Sequence, residues 1–185
     1  MPNVTRIIRQ QHRAAASVLF ALRTLTRQAL HAGDPPDFRW LRTLVGYVER
    51  FPERLHHPNT ETYLLRVLLR REPAKARLVA RLRRDHAAST GYAYRLRDAL
   101  ANWERGDPKA ALQAAHVAND FARFMWRHAR FEEHEVLPGA RAAFTEAEWR
   151  AVGHAFTAAA DPLIGSESRH QCEAALRRIG ESQTV

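Results

Sequence analysis

The sequence predicts an all-α fold, an up-down-up-down four-helix bundle with short helices at its C-terminal end. Three observations point there. Apolar residues recur at three- and four-residue steps over long stretches, the pattern of a helix with one buried face. The interruptions are short and built of Gly, Pro and Asp, so consecutive helices must run antiparallel. No stretch alternates apolar and polar residues for long enough to make a strand.

The first helix is expected over about residues 4–31, with Ile7, Ile8, Ala15, Leu19, Leu22 and Leu25 on its apolar face and Ala32-Gly33-Asp34-Pro35-Pro36 as its stop. Asp37 is a candidate N-cap for the second, whose apolar positions include Phe38, Leu41, Leu44, Val45 and Val48. Pro52 and Pro58 are expected to interrupt this helix before it resumes through Tyr63, Leu64 and Leu65 to about Arg71. The third runs from about Ala74 to Arg105. Gly106-Asp107-Pro108 then reads as C-cap, N-cap and first helical residue, so the fourth begins at Pro108 and continues to Leu137-Pro138. Thr145, with Glu148 three residues on, forms a capping box for a shorter fifth helix that Asp161-Pro162 ends. A last amphipathic piece is expected over about 167–179. Residues 1–160 are thus assigned to the bundle, and 161–185 to a helical appendage of the same domain.

Composition narrows the function classes. The chain has 185 residues, 45 % of them hydrophobic, which is enough for one cored domain and unlike a disordered chain. Its single cysteine, Cys172, excludes an intrachain disulfide framework and any cysteine-built zinc or iron–sulfur site, and is expected to be a quiet, partly buried thiol. No run of 18 apolar residues exists, and charges stand where a signal peptide needs its apolar stretch, so a cytoplasmic location is expected. The net charge of +9 comes mostly from arginine. These arginines are spread along the chain, which reads as a solvated helix surface, and nucleic acid is not the expected partner.

The chemistry sits in histidine and glutamate. His57 and His128 each precede a glutamate, Glu61 and Glu132, by four residues, which places both members on one helix face. Height along the bundle carries more weight. His12 lies 19 residues before His31, and His57 lies 20 residues after Asp37. At a rise of about 1.5 Å per residue, both stand about 30 Å from the same turn. His86 and His128 repeat the relation around the turn at 105–108, giving H-x44-H-x3-E in one half and H-x41-H-x3-E in the other. Apolar neighbours such as Leu19, Leu82 and Met125 turn these positions inward. Two buried glutamates in one layer would repel each other, and bridged cations remove that conflict. The residue before a proline avoids the α region, so His56 stays a candidate beside His57. Glu133 is a further alternate beside Glu132.

The segments Gln11-His12-Arg13, Leu55-His56-His57-Pro58-Asn59-Thr60-Glu61, Arg84-Asp85-His86 and His128-Ala129-Arg130-Phe131-Glu132-Glu133-His134-Glu135-Val136-Leu137-Pro138 together resemble the hemerythrin-like HHE cation-binding domain, over about residues 4–160. The resemblance implies a four-helix bundle around a non-haem di-iron centre with an oxo or hydroxo bridge. His12, His57, His86 and His128 would be terminal ligands, and Glu61 and Glu132 bridges. Zinc or manganese is a variant that the same donors accept. The chain departs from the oxygen-carrying members, which have a further histidine on the third helix and an H-x4-H-x4-D motif on the fourth. Leu82 and Thr90 flank His86 here, and Glu133 and Pro138 follow His128 at five and ten residues. Fewer histidines leave more of the coordination sphere open. The resemblance therefore implies binding of O2, peroxide or NO, in a stress response or in redox sensing, with weak peroxidase- or oxidase-type turnover left open. The alternative is an iron-handling or storage-type protein without turnover. The oligomeric state is left open.

Overall fold

The computed structural model describes residues 2–107, 109–158, 161–164 and Ala174. It is all-α, with no strand among the described residues. Helix α1 spans Pro2–Ala32 and stops at Gly33, whose φ of 74° is a left-handed conformation that suits glycine. Helix α2 covers Phe38–Val48, and the Asp37 side chain caps it by accepting from the Trp40 backbone N–H at 3.0 Å.

The expected break at Pro52 and Pro58 does not occur. A π-type segment over Glu49–His56, the short α3 over His57–Asn59, a second π-type segment over Thr60–Leu65 and α4 over Arg66–Arg71 follow α2 without a gap. Proline cannot give the N–H that an interior α-turn demands. These turns bond five residues back instead of four: the His57 N–H reaches Pro52 O, and the Arg66 N–H reaches Glu61 O. The ladder closes around Pro52, while Pro58 takes the first turn of α3, where its missing N–H costs least.

A 3-10 turn at Pro73–Lys75 leads into α5, Ala76–Glu104. Gly106, at φ 91°, ends that helix, and Asp107 accepts from the Lys109 backbone N–H through its side chain. Pro108, the expected start of the fourth helix, lies outside the described residues; α6 covers Ala110–Phe131. This helix does not end at Leu137-Pro138 as expected. A π-type segment at Glu132–Val136 carries it into α7, Leu137–Ala143, where Pro138 again falls in the first turn. Helix α8, Glu146–Ala158, opens on the expected capping box: the Thr145 N–H donates to Glu148 Oε2 at 2.9 Å, and the Glu148 N–H donates to Thr145 Oγ1 at 3.3 Å. The amphipathic piece expected over 167–179, Cys172 and most of 161–185 lie outside the described residues.

Helix α1 packs on α2, α6 and α8, and α5 packs on α2 and α6, so four rods enclose a common centre. Their apolar faces form two clusters. One holds Leu19, Leu22, Leu44, Tyr47, Leu96 and Phe121; the other holds Ile8, Leu64, Leu68, Leu82, Val136 and Phe156. Each large side chain buried in them contributes roughly 1.5–3 kcal/mol. Helix α8 completes the second cluster with Trp149, Val152 and Phe156, and Asn59 ties it down by donating to the Ala155 carbonyl at 3.1 Å. Gly153 lets α8 close on α1: a Cβ there would stand 3.0 Å from Val4 Cγ2. Between the two clusters lies a layer of buried polar side chains.

Candidate metal centre

Five histidines and one glutamate meet in that layer. His57, His86 and His128 form one group, and His12, His56 and Glu132 form the other, with the potential ligand atoms of each group within 4.8 Å of one another. All six residues are buried. Glu132 joins the groups. Its Oε2 lies 3.3 Å from His12 Nε2, 3.5 Å from His56 Nε2 and 3.7 Å from His128 Nε2. His12 Nε2 and His56 Nε2 are 3.1 Å apart, and the His57 and His86 rings stack at 4.3 Å.

Helix register explains the convergence. His12, His86 and His128 come from the inner faces of α1, α5 and α6 at one height. His56 and His57 are consecutive, and in a regular α-helix they would diverge by about 100°. His56 ends a π-type segment, whose wider turns rotate each residue less, and both rings point inward. A second such segment begins at Glu132 itself, where the Leu137 N–H bonds Glu132 O. The irregular backbone thus lies at the polar layer.

Every one of the five rings has an acceptor near its outward nitrogen. His12 Nδ1 bonds Glu133 Oε1, His56 Nδ1 bonds Gln11 Oε1 and His86 Nδ1 bonds Glu61 Oε1, each at 2.8 Å. His57 Nδ1 lies 3.6 Å from Glu53 Oε1, and His128 Nδ1 lies 4.0 Å from Asp85 Oδ2. A proton on Nδ1 leaves the Nε2 lone pair facing the centre, the tautomer that a metal-binding imidazole needs. The acceptors are anchored in turn: Glu61 also takes the Arg83 guanidinium at 2.8 Å, and Glu53 takes the Ser89 and Thr90 hydroxyls at 2.5 and 2.6 Å.

Electrostatics give the layer a demand for positive charge. Burial alone would neutralise Glu132, yet the neighbouring His12 and His56 hold its carboxyl well below the ordinary range, so it is a buried anion. Burial works against a charge on His12, but Glu132 and Glu133 raise it to about 9. His57 and His128 are held well below the usual histidine value, first by burial, and stay neutral. Both ring nitrogens of His57 and of His128, Nε2 of His86 and Oε2 of Glu132 are buried without a hydrogen-bond partner. Orphaned polar atoms of this kind are costly unless something binds them. Five imidazoles and a carboxylate are the donor set that borderline divalent cations take, so the residues fit a metal.

A small cavity reaches this layer from the α1–α2 side. Ala15, Phe51, Leu55 and Met125 wall it, and His12, His56 and Gln11 reach it. The Tyr47 hydroxyl, which donates to Asp161 Oδ2 at 2.8 Å, and Asp161 itself also border the cavity. It has room for a molecule about the size of one water.

Of the residues singled out in the sequence, His12, His57, His86, His128 and Glu132 meet at the centre. His56 joins them together with His57, not in its place. Glu61 and Glu133 stand outside both groups, behind His86 and His12 respectively. Sequence reasoning missed Gln11, Glu53 and Asp85 as partners of the rings: Gln11 and Asp85 face His56 and His128 from other helices, beyond any spacing rule, whereas Glu53 stands four residues before His57, a spacing that could have found it.

The family model for the hemerythrin HHE cation-binding domain matches residues 3–140, the stretch that supplies all six central residues and every partner behind them. Comparison with curated proteins and with solved structures gives no match. With a matching helical bundle and a buried histidine–glutamate centre, the chain belongs to the hemerythrin HHE cation-binding family.

Proposed function

We propose that this protein is a dinuclear iron protein whose His12 side, where the cavity reaches the centre, would admit a small ligand such as O2, peroxide or NO. His12, His56 and Glu132 would hold one metal, His57, His86 and His128 the other, with Glu132 spanning both. The observation that carries this reading is the set of orphaned nitrogens and the lone buried carboxylate facing one point between two apolar clusters. A two-histidine, one-carboxylate set with open positions suits ferrous iron and oxygen chemistry, and a three-histidine set suits the same range of metals. Bound iron would supply the redox change and the ligand affinity. The chain supplies the rest: four outer carboxylates and the Gln11 amide oxygen hold the five rings in their ligating tautomer, the two clusters keep bulk water away, and the cavity limits what reaches the centre.

A role in oxidative or nitrosative stress or in redox sensing follows if the bound ligand is peroxide or NO. Metal content and the visible spectrum of protein loaded anaerobically with ferrous iron and then exposed to air, with and without azide, test the proposal. About two irons per chain and an absorption that azide shifts are expected. Zinc alone, or iron that a chelator strips within minutes and azide leaves unaltered, would instead favour an iron-handling role.

A further inference from the structure

We propose that Gln11 discriminates between ligands by donating a hydrogen bond from its side-chain amide to whatever binds in the cavity beside His12 and His56. The inference rests on the metal-binding reading above. Gln11 is 6 % exposed, borders the cavity, and is committed at one end only: its Oε1 accepts from His56 Nδ1 at 2.8 Å. The amide nitrogen has no partner among the described residues, so its two N–H donors remain available to a molecule in the cavity that Gln11 borders. The orientation of the amide is fixed by chemistry. His56 must keep its proton on Nδ1 if Nε2 is to face a metal, so the group facing Nδ1 has to be the carbonyl oxygen, which turns the NH2 away from the ring.

The other four rings have carboxylates behind them, and a carboxylate there would orient His56 equally well. An amide, unlike a carboxylate, both orients the ring and donates. Apart from Asp161 and the Tyr47 hydroxyl, which donates to it, the remaining wall is apolar, with Ala15, Phe51, Leu55 and Met125 beside the metal-facing histidines. With the Tyr47 hydroxyl committed to Asp161, a bound molecule meets the Gln11 amide as a neutral donor in largely apolar surroundings, where such a bond is worth most. Ligands with basic terminal atoms, such as azide or a peroxide anion, gain from it. Nitric oxide, a weak acceptor, gains little.

The test compares azide and nitric oxide binding to iron-loaded wild type, Gln11→Leu and Gln11→Glu. Wild type should bind azide about tenfold more tightly than Gln11→Leu, with nitric oxide affinity within about twofold and iron content unchanged. Gln11→Glu keeps the acceptor for His56 but loses the donor, and should also lose azide binding. If Gln11 served only to orient His56, Gln11→Glu would lower azide affinity through a more electron-rich imidazole while Gln11→Leu left it unchanged or raised it. Should Gln11→Leu fail to hold iron, the azide infrared band decides: a deuterium shift in wild type that Gln11→Glu lacks supports the donor role, and no shift in wild type overturns it. Equal azide affinity in wild type and Gln11→Leu overturns the inference alone. Iron-loaded wild type that takes no azide overturns the functional reading as well.

Discussion

The two carboxylates four residues after His57 and His128 look equivalent in sequence and are not equivalent in space. Glu132 is fully buried and touches both histidine groups, whereas Glu61 is partly exposed and divided between His86 and Arg83. Their substitutions should differ in kind. Glu132→Ala should drop the metal content below about one per chain. Glu61→Ala should keep two metals and weaken affinity by roughly 10–100-fold, the range for partners behind a ligand. Elemental analysis with chelator competition reads both, and a Glu61→Ala protein that lost a metal outright would make Glu61 a direct ligand. His12 adds a pH dependence. Burial opposes its charge, but Glu132 and Glu133 raise its value from 6.5 to about 9, so metal must displace a proton from it. Metal affinity at His12 should therefore rise about tenfold per pH unit up to about pH 9 and then level off, as chelator competition across that range will show. In metal-free protein the sign reverses. The charged pair stabilises the fold fully below pH 6.5, and this contribution is lost as pH rises through about 9, lowering the melting temperature there.

At the scale of elements, local signals that involve neighbours in sequence were legible. The Asp37 cap, the Gly106 stop and the Thr145–Glu148 box each stand where the residues placed them, because a cap is decided within four residues. Thr145→Ala should cost about 1 kcal/mol, a melting shift of about 2–4 °C. The approach of α8 to α1 is more exacting. Gly153→Val has to force apart Val4 and the α8 backbone, at about 1–3 kcal/mol by thermal unfolding. The π-type segments were not legible. Pro52, Pro58 and Pro138 read as helix breaks because each forbids an α-turn locally, and only packing against three other rods makes a wider turn preferable to an end. The same blind spot made His56 and His57 look like alternatives. A one-residue rotation within a helix is invisible to a rule built on 3.6 residues per turn, yet it decides whether the centre holds four histidines or five.

For the whole molecule, the apolar faces and the height of the histidines gave the bundle and the polar layer, since both are sums over many residues. The charge balance gave less. Many arginines are engaged with the chain itself: Arg81 lies over Phe131 at 3.7 Å, Arg130 over Trp126 at 4.9 Å, and Arg70 and Arg71 both meet Glu148. No helix among the described residues is long and apolar enough to cross a membrane. Metal should stabilise this fold strongly, because it binds groups that are otherwise orphaned at the molecular centre. At a free concentration about 1,000 times the dissociation constant, the gain is about 4 kcal/mol, or roughly 8–16 °C of melting temperature for a chain of this size. Calorimetry before and after chelation measures it directly.

The polar layer also divides the bundle mechanically. It separates the apolar cluster near the α1–α2 and α5–α6 turns from the cluster that α8 covers, and among the described residues the larger buried apolar side chains fall into these two clusters. With metal in place the six central side chains act as a rivet, and the halves should unfold as one cooperative unit. Stripped of metal, the chain becomes two foldons joined by charged and unpaired groups. Amide exchange should then split into two protection classes along the α1, α5 and α6 rods, with the boundary at His12, His86 and His128. Iron supply would set not only what the protein binds but how much of it survives a protease.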